Sequence, residues 1–302
     1  MLSDSATTES QRRLAVLGSP IAHSRSPRIH RAAYGLLGLP WEYEAVECAE
    51  DRLAGWLGER DDSWRGLSLT MPLKEEAHRL APVLDPVAEE SGVVNTLLRL
   101  AGGAGWAGFN TDVGGLAAAI EEAGLDATST VVLGSGATAV SAVLAARRLG
   151  AAHVEIVARN AAAVGGLVAR FGESSEPGSN AALHVSGTIL PHTDHLVQGV
   201  PRVDRRDTAP TLVISTLPGP AAAGVALPEA LLRIPLFDVA YDPWPSPLAE
   251  RWRAADGEAH SGLSMLVQQA LLQIRIFMNG DPAAPLEREA EVLAAMRAAV
   301  SA

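Results

Sequence analysis

Lys74 is the one lysine among the 24 basic residues of this 302-residue chain; all the others are arginine. In a chain so biased toward arginine, a retained lysine points to work a guanidinium cannot do. Arginine is effectively always protonated, whereas an ammonium can release its proton in a suitable site. The neighbours of Lys74 exclude two common uses. A short-chain dehydrogenase needs tyrosine four residues before the lysine, and that position is Thr70. A Walker A loop needs glycine directly before it, and that residue is Leu73.

A second stretch with chemistry is TVVLGSGATAVSAVLAARRLGAAHVEIVARN, residues 130–160. An apolar run (130–133) reads as a buried strand, Gly134-Ser135-Gly136 as a tight turn, 137–149 as a helix and 153–157 as a second buried strand. This is a βαβ unit. Its glycine turn lets the backbone approach a dinucleotide pyrophosphate while helix N–H groups, from Ala137 onward, face the phosphates. The second strand ends in Ala158-Arg159-Asn160, without the carboxylate an NAD site places against the ribose 2′-hydroxyl. Arg159 is suited to a 2′-phosphate, which points to NADP.

Ser24 and Ser26 form a third group, in GSPIAHSRSPRIH at the end of an apolar run (14–17). Ser26-Pro27 is a helix start, with serine as N-cap and proline at N1. A plain capped helix and a carboxylate site at a helix N-terminus both fit.

The elements that must position these groups follow from the pattern. Before the glycine turn, strands are expected at 14–17, 41–47, 66–70, 93–100 and 106–110. Helices are expected at 26–37, 50–58, just after Lys74, and at 114–123. Asn95 lies inside the apolar run VVNTLLRL, where a structural hydrogen bond and a ligand contact both suit a buried amide. After the turn, a helix is expected at 161–171, a loop at 172–180, a short strand at 182–185 and a polar, turn-rich stretch at 202–210. A strand at 211–215 should exit through Thr216 and its neighbours, where a nicotinamide would lie. A last long strand is expected at 236–241, a stiff proline-rich exit at 242–247, and helices at 264–278 and 286–300. Gln268 and Gln269 are adjacent and so cannot face the same way; one of them should face the cleft.

Composition bounds the rest. The length suits about two domains. Hydrophobic content of 48% with 20% charged residues is that of a soluble globular protein. The net charge of −11, without basic runs, argues against nucleic-acid binding. Cys48 is the single cysteine, which excludes an intrachain disulfide. No histidine has a partner at metal-ligand spacing, so no metal is expected, and His23 and His30 read as packing or hydrogen-bonding groups. The polar start reads as a frayed tail, and no segment reads as a membrane span or secretion signal. A cytoplasmic enzyme without membrane or nucleic-acid partners is the expectation.

These pieces, in order, resemble the shikimate dehydrogenases: GSPIAHSRSPRIH, LTMPLK, VVNTL, GFNTD, the glycine turn, ISTLPG, DVAYDPWPSPL and GLSMLVQQA. The resemblance runs along nearly the whole chain. It implies an α/β fold of two domains: an N-terminal substrate domain with a mostly parallel sheet (1–112, completed by 264–302) and a Rossmann-like dinucleotide domain (113–263). It implies reduction of 3-dehydroshikimate to shikimate with NADPH, a step of aromatic amino-acid synthesis, by a monomer or homodimer. By the same resemblance Ser24 and Ser26 hold the substrate carboxylate, and Thr70, Asn95 and Gln269 bind ring hydroxyls. Lys74 and Asp112 are the catalytic pair with Tyr241 nearby, and Gly134, Ser135, Gly136, Ala137, Arg159 and Thr216 hold the cofactor. Reducing a ketone builds negative charge on its oxygen, and an ammonium oriented by a carboxylate serves that need.

The chain departs from the family at two places. Ser68-Leu69-Thr70 stands where many members have Asn-Val-Thr, and one arginine stands in the 2′-phosphate loop where many members have two basic residues. Two other readings remain: a quinate/shikimate dehydrogenase using NAD, and a non-catalytic metabolite or dinucleotide sensor on the same fold. The missing carboxylate after Val157 argues against the first. Retention of Lys74 and Asp112 argues against the second.

Overall fold

A computed structural model describes residues 11–172, 183–190 and 209–301. The expected tail, the loop at 172–180 and the polar stretch at 202–210 lie wholly or mostly outside the described residues. The chain divides into two compact units, Met1–Thr111 with Gln269–Ala302, and Asp112–Gln268.

The first unit contains, in order, β1 (Arg12–Gly18), α1 (Ser26–Leu37), β2 (Trp41–Glu47), α2 (Leu53–Gly58), β3 (Trp64–Leu69), α3 (Lys74–Leu80), β4 (Val83–Leu84), α4 (Pro86–Ser91), β5 (Thr96–Arg99) and β6 (Trp106–Phe109). Its sheet runs β2-β1-β3-β5-β6-β4. β2, β1 and β3 pair in parallel, and β5 is antiparallel to both its neighbours. β1 and β3 carry apolar runs buried on the sheet, and Leu17, Leu67, Leu97 and Trp64 pack into one core. Gly66 of β3 is forced by packing. A Cβ there would stand 2.3 Å from Cε1 of the buried Phe277 and 3.1 Å from the Leu97 carbonyl. Gly66→Ala is therefore expected to cost about 1–3 kcal/mol by overpacking, read as a Tm lower by roughly 2–4 °C per kcal/mol. An unchanged Tm would mean that the Phe277 ring moves aside freely.

The second unit contains α5 (Thr111–Glu122), which starts at the unit boundary, then β7 (Ser129–Leu133), α6 (Ala137–Arg148), β8 (His153–Ala158), α7 (Ala161–Phe171), β9 (His184–Ile189), β10 (Leu212–Ser215), α8 (Gly219–Ala223), β11 (Leu236–Asp238), α9 (Pro247–Ala254) and β12 (Ala259–Ser261). α10 (Leu263–Asn279) carries the chain over the second boundary, and α11 (Glu289–Ser301) packs on α1 in the first unit. The sheet order, β12-β11-β10-β7-β8-β9, is parallel throughout. This is the doubly wound Rossmann order, reversing direction between β7 and β10, and ligands bind at the carboxyl ends of the strands at that reversal. Leu133, Val213, Leu236 and Trp252 fill its core, with the Trp252 indole N–H donating to the Ile234 carbonyl at 2.7 Å.

Several expected bounds change. The strand expected at 93–100 is shorter because the Val94 N–H bonds the Lys74 carbonyl rather than a strand neighbour, at 2.9 Å; Asn95 therefore precedes β5 instead of lying inside it. α5 begins at Thr111, so Asp112 falls in its first turn. The strand expected at 236–241 ends at Asp238. That carboxylate accepts the Ala240 N–H at 3.2 Å and the Ser246 hydroxyl at 2.5 Å, which bends the chain off the sheet and leaves Tyr241 in the loop. Ser26 does not cap α1. The N-cap position is Arg25, without a side-chain cap bond, and the Ser26 N–H instead donates to Ser24 Oγ at 3.3 Å. Among the described residues no helix is long and apolar enough to cross a membrane.

Candidate active site

In the first unit the polar groups collect where β1 and β3 end and β5 begins. The loop after β1 is pinned by Glu47, whose carboxylate accepts the Ser19 hydroxyl at 2.5 Å and the Ile21 N–H at 3.1 Å. It runs against the loop after β3: the Ser19 N–H donates to the Met71 carbonyl at 3.0 Å, and the Thr70 N–H to the Leu17 carbonyl at 2.9 Å. Gly18 has to be glycine for this approach, since a Cβ would lie 2.3 Å from Thr70 Cγ2. Ser24 is half-buried in the first loop and Ser26 buried at the start of α1; Thr70 is half-buried in the second loop and Lys74 half-buried at the start of α3. Lys74 opens α3, and its carbonyl holds the stretch that leads into Asn95.

Asn95 is buried and fully oriented. Its Oδ1 accepts the Thr111 N–H at 2.8 Å and the Thr96 hydroxyl at 2.8 Å. Its Nδ2 donates to Thr111 Oγ1 at 2.9 Å and to Gln269 Oε1 at 3.5 Å. Asn95 is thus joined to a second candidate residue, Gln269 on α10, and the structural reading of this amide is met by four hydrogen bonds. Gln268 turns the other way and donates to Glu122 at 3.1 Å within the second unit.

Below these groups lies a polar network that sequence reading missed. Tyr43 OH donates to Ser68 Oγ at 2.6 Å, and Ser68 donates to Gln273 Oε1 at 2.7 Å. His30 stacks on Tyr43 with ring centroids 3.9 Å apart and bonds Gln273 through Nε2 at 3.3 Å. Burial pushes the His30 pKa down to about 3, so the ring is neutral throughout the working range. The Ser68 hydroxyl, at one of the departures from the family pattern, is committed to this network. Gln273 lies four residues after Gln269 on the same helix face, and a glutamine pair at that spacing in a largely apolar helix was the available signal.

In the second unit the candidate groups sit at strand ends around the reversal. Gly134 follows β7 with φ +121°, and a Cβ there would lie 2.3 Å from Thr216 Oγ1, so only glycine fits. Thr216, after β10, is held by its N–H and hydroxyl on the Leu133 carbonyl at 2.8 and 3.0 Å. Gly136 is the N-cap of α6, is exposed and has open space where a Cβ would be, so a ligand can approach its backbone closely. Ser135 and Ala137 flank it, half-buried. Arg159 follows β8 and is exposed, and Asn160 caps α7 by accepting the Ala163 N–H at 3.1 Å. This cradle has the form of a dinucleotide pyrophosphate site, and the Arg159 guanidinium stands exposed after the next strand. Asp112 is buried in the first turn of α5, and Tyr241 is half-buried in the loop after β11.

Residues 16–97 match the family described as shikimate dehydrogenase substrate binding domain. The chain is 34% identical, over 87% of its length and 89% of the relative's, to a shikimate dehydrogenase (NADP(+)) of Anaeromyxobacter sp.. It belongs to the shikimate dehydrogenase family. Among solved structures it is similar to the shikimate dehydrogenase of Mycobacterium tuberculosis, with 37% identity, a TM-score of 0.76 and coverage of 96% of this chain and 100% of that one. It is also similar to the Thermus thermophilus enzyme in complex with NADP(H) and shikimate, at 27% identity and a TM-score of 0.73, with coverage of 96% and 100%. The family resemblance and the α/β class drawn from the motifs hold. The sheet of the first unit is a mixed one, parallel except at β5.

Proposed function

We propose that the chain reduces 3-dehydroshikimate to shikimate with NADPH, in the route to the aromatic amino acids. The observation that carries this reading is the pairing of two strand-end constellations in one chain of this family. One is the Thr70–Lys74–Asn95–Gln269 group of the first unit, and the other is the glycine turn at the reversal of the second. On this reading residues 1–112 with 264–302 form the substrate domain, and 113–263 the dinucleotide domain. The chain acts on a small molecule in the cytoplasm, as a monomer or homodimer, with neither nucleic acid nor membrane; its net charge of −11 is consistent with this.

The residues have separable tasks. Ser24 and Ser26 take the substrate carboxylate by hydroxyl donation. Thr70, Asn95 and Gln269 take ring hydroxyls, which sets the face and register of the ring. The Lys74 ammonium stands at the reacting oxygen, stabilises the charge that builds there and gives it a proton, while Asp112 orients the ammonium and a substrate hydroxyl. Tyr241 is assigned to the substrate. Gly134, Ser135, Gly136 and Ala137 hold the pyrophosphate, Thr216 lies by the nicotinamide and Arg159 takes the 2′-phosphate. When bound, NADPH supplies the hydride.

The test is absorbance at the reduced nicotinamide band, with shikimate or quinate crossed against NADP or NAD. Turnover should be highest with shikimate and NADP. Highest turnover with quinate and NAD would transfer the reading to that activity, and no turnover in any combination would favour a sensor. A single substitution checks the cofactor half. Arg159→Asp should raise KM for NADP by roughly tenfold or more and improve the relative use of NAD, because a carboxylate repels a 2′-phosphate but bonds a 2′-hydroxyl. An unchanged KM for NADP would make this exposed arginine irrelevant to selection.

A further inference from the structure

We propose that Gln273 is a positioning residue for substrate recognition: it fixes the geometry of Asn95, and through Asn95 that of Gln269, from beneath the site. The inference rests on the assignment of Asn95 and Gln269 to the substrate hydroxyls. Two backbone groups determine the direction of the whole network. The Asn95 carbonyl can only accept, and it lies 3.4 Å from the Gln273 amide, so that end of Gln273 is Nε2. The same Nε2 donates to Thr96 Oγ1 at 3.1 Å, which leaves the Thr96 hydroxyl proton for Asn95 Oδ1 at 2.8 Å. The Thr111 N–H can only donate, and it too reaches Asn95 Oδ1, at 2.8 Å. Asn95 is thereby held with Nδ2 toward Gln269 Oε1.

At its other end Gln273 Oε1 accepts from Ser68 and His30. The neutral His30 ring therefore donates from Nε2 and accepts at Nδ1 from Tyr34 OH, 3.1 Å away. Every member of the chain from Tyr34 and Tyr43 to Asn95 then has one proton direction. His30, Ser68, Asn95, Thr96, Gln269 and Gln273 are all buried, so an amide flip at Gln273 would place like groups together at several points and leave buried polar groups unmatched. Ser68 belongs to this arrangement: its short hydroxyl ends at Gln273 Oε1, and the pairing ties a departure from the common family sequence to a residue on α10.

Gln273→Met keeps approximate volume and removes both ends of the amide, and Thr96→Val removes the hydroxyl that relays Gln273 to Asn95. The measurements are kcat, KM for shikimate, KM for NADP and Tm for each variant and for the pair. Each single variant should raise KM for shikimate by roughly tenfold, on the scale of one buried hydrogen bond, with KM for NADP within about twofold of wild type. The double variant should raise it by much less than the product of the two, because both cut one chain. A lower Tm with KM for shikimate unchanged would make Gln273 purely structural and overturn the proposal, as would equal rises in the two KM values. If Gln273→Met does not fold, Thr96→Val decides by the same criteria. Absence of shikimate turnover in the wild type would remove the functional reading and this proposal together, whereas a normal wild type with unaffected variants would remove only the proposal.

Discussion

Lys74→Arg is expected to lose about a hundredfold or more in kcat while substrate affinity stays within roughly tenfold, the loss being the scale of general acid–base catalysis. The substitution keeps the positive charge and changes the ability to transfer a proton, since a guanidinium stays protonated under all working conditions. Its backbone consequences are small. Lys74 is the first residue of α3, and its carbonyl accepts the Val94 N–H at 2.9 Å, a main-chain bond that arginine preserves. A single-turnover measurement with the hydride donor saturated isolates the chemical step from product release. If kcat stays near normal, Lys74 acts only as a fixed charge and the proton comes from elsewhere.

Ser24→Ala is expected to lower kcat/KM for shikimate by roughly tenfold to a hundredfold, because a hydroxyl bond to a charged carboxylate is worth about 1.5–3 kcal/mol. The sequence assigns helix capping to Ser26, whereas in the structure no side chain caps α1, and the Ser24 hydroxyl oxygen receives the Ser26 N–H at 3.3 Å. Ser24→Ala should therefore also lower Tm slightly, on the scale of about 1 kcal/mol or less for one long hydrogen bond. The two effects separate with a substrate analogue lacking the carboxylate. Wild type and variant should process that analogue about equally poorly, since the group that distinguishes them has no partner in it. If the variant impairs both compounds by the same factor, Ser24 supports the loop and does not hold the carboxylate.

The elements that were legible in the sequence are those whose boundaries are local. β2 and α7 run over the expected residues, because each is a periodic or apolar run with punctuation at its ends. Gly38 adopts φ +68° to end α1, as expected of a glycine after a helix. Short elements were not legible: β4, β12 and α4 carry too few residues for a period, and β4 and β12 exist because a neighbouring strand is there to pair with. β11 is shorter than its apolar run because Asp238 takes the Ala240 N–H in a local turn and the Ser246 hydroxyl eight residues further along, and the second partner is not encoded by local propensity.

By itself the sequence determined the ordered motifs, the lone lysine, the glycine turn and the arginine at the end of β8, and with them the family and the α/β class. These are properties of residue type and spacing along the chain, where steric freedom and charge act over a few positions. Only the tertiary structure decided which polar side chains work together. Ser68 and Gln273 are 205 positions apart, and Asn95 and Gln269 are 174 apart. Their union follows from folding α10 back over β3 and β5, and from the cost of leaving any buried donor or acceptor without a partner.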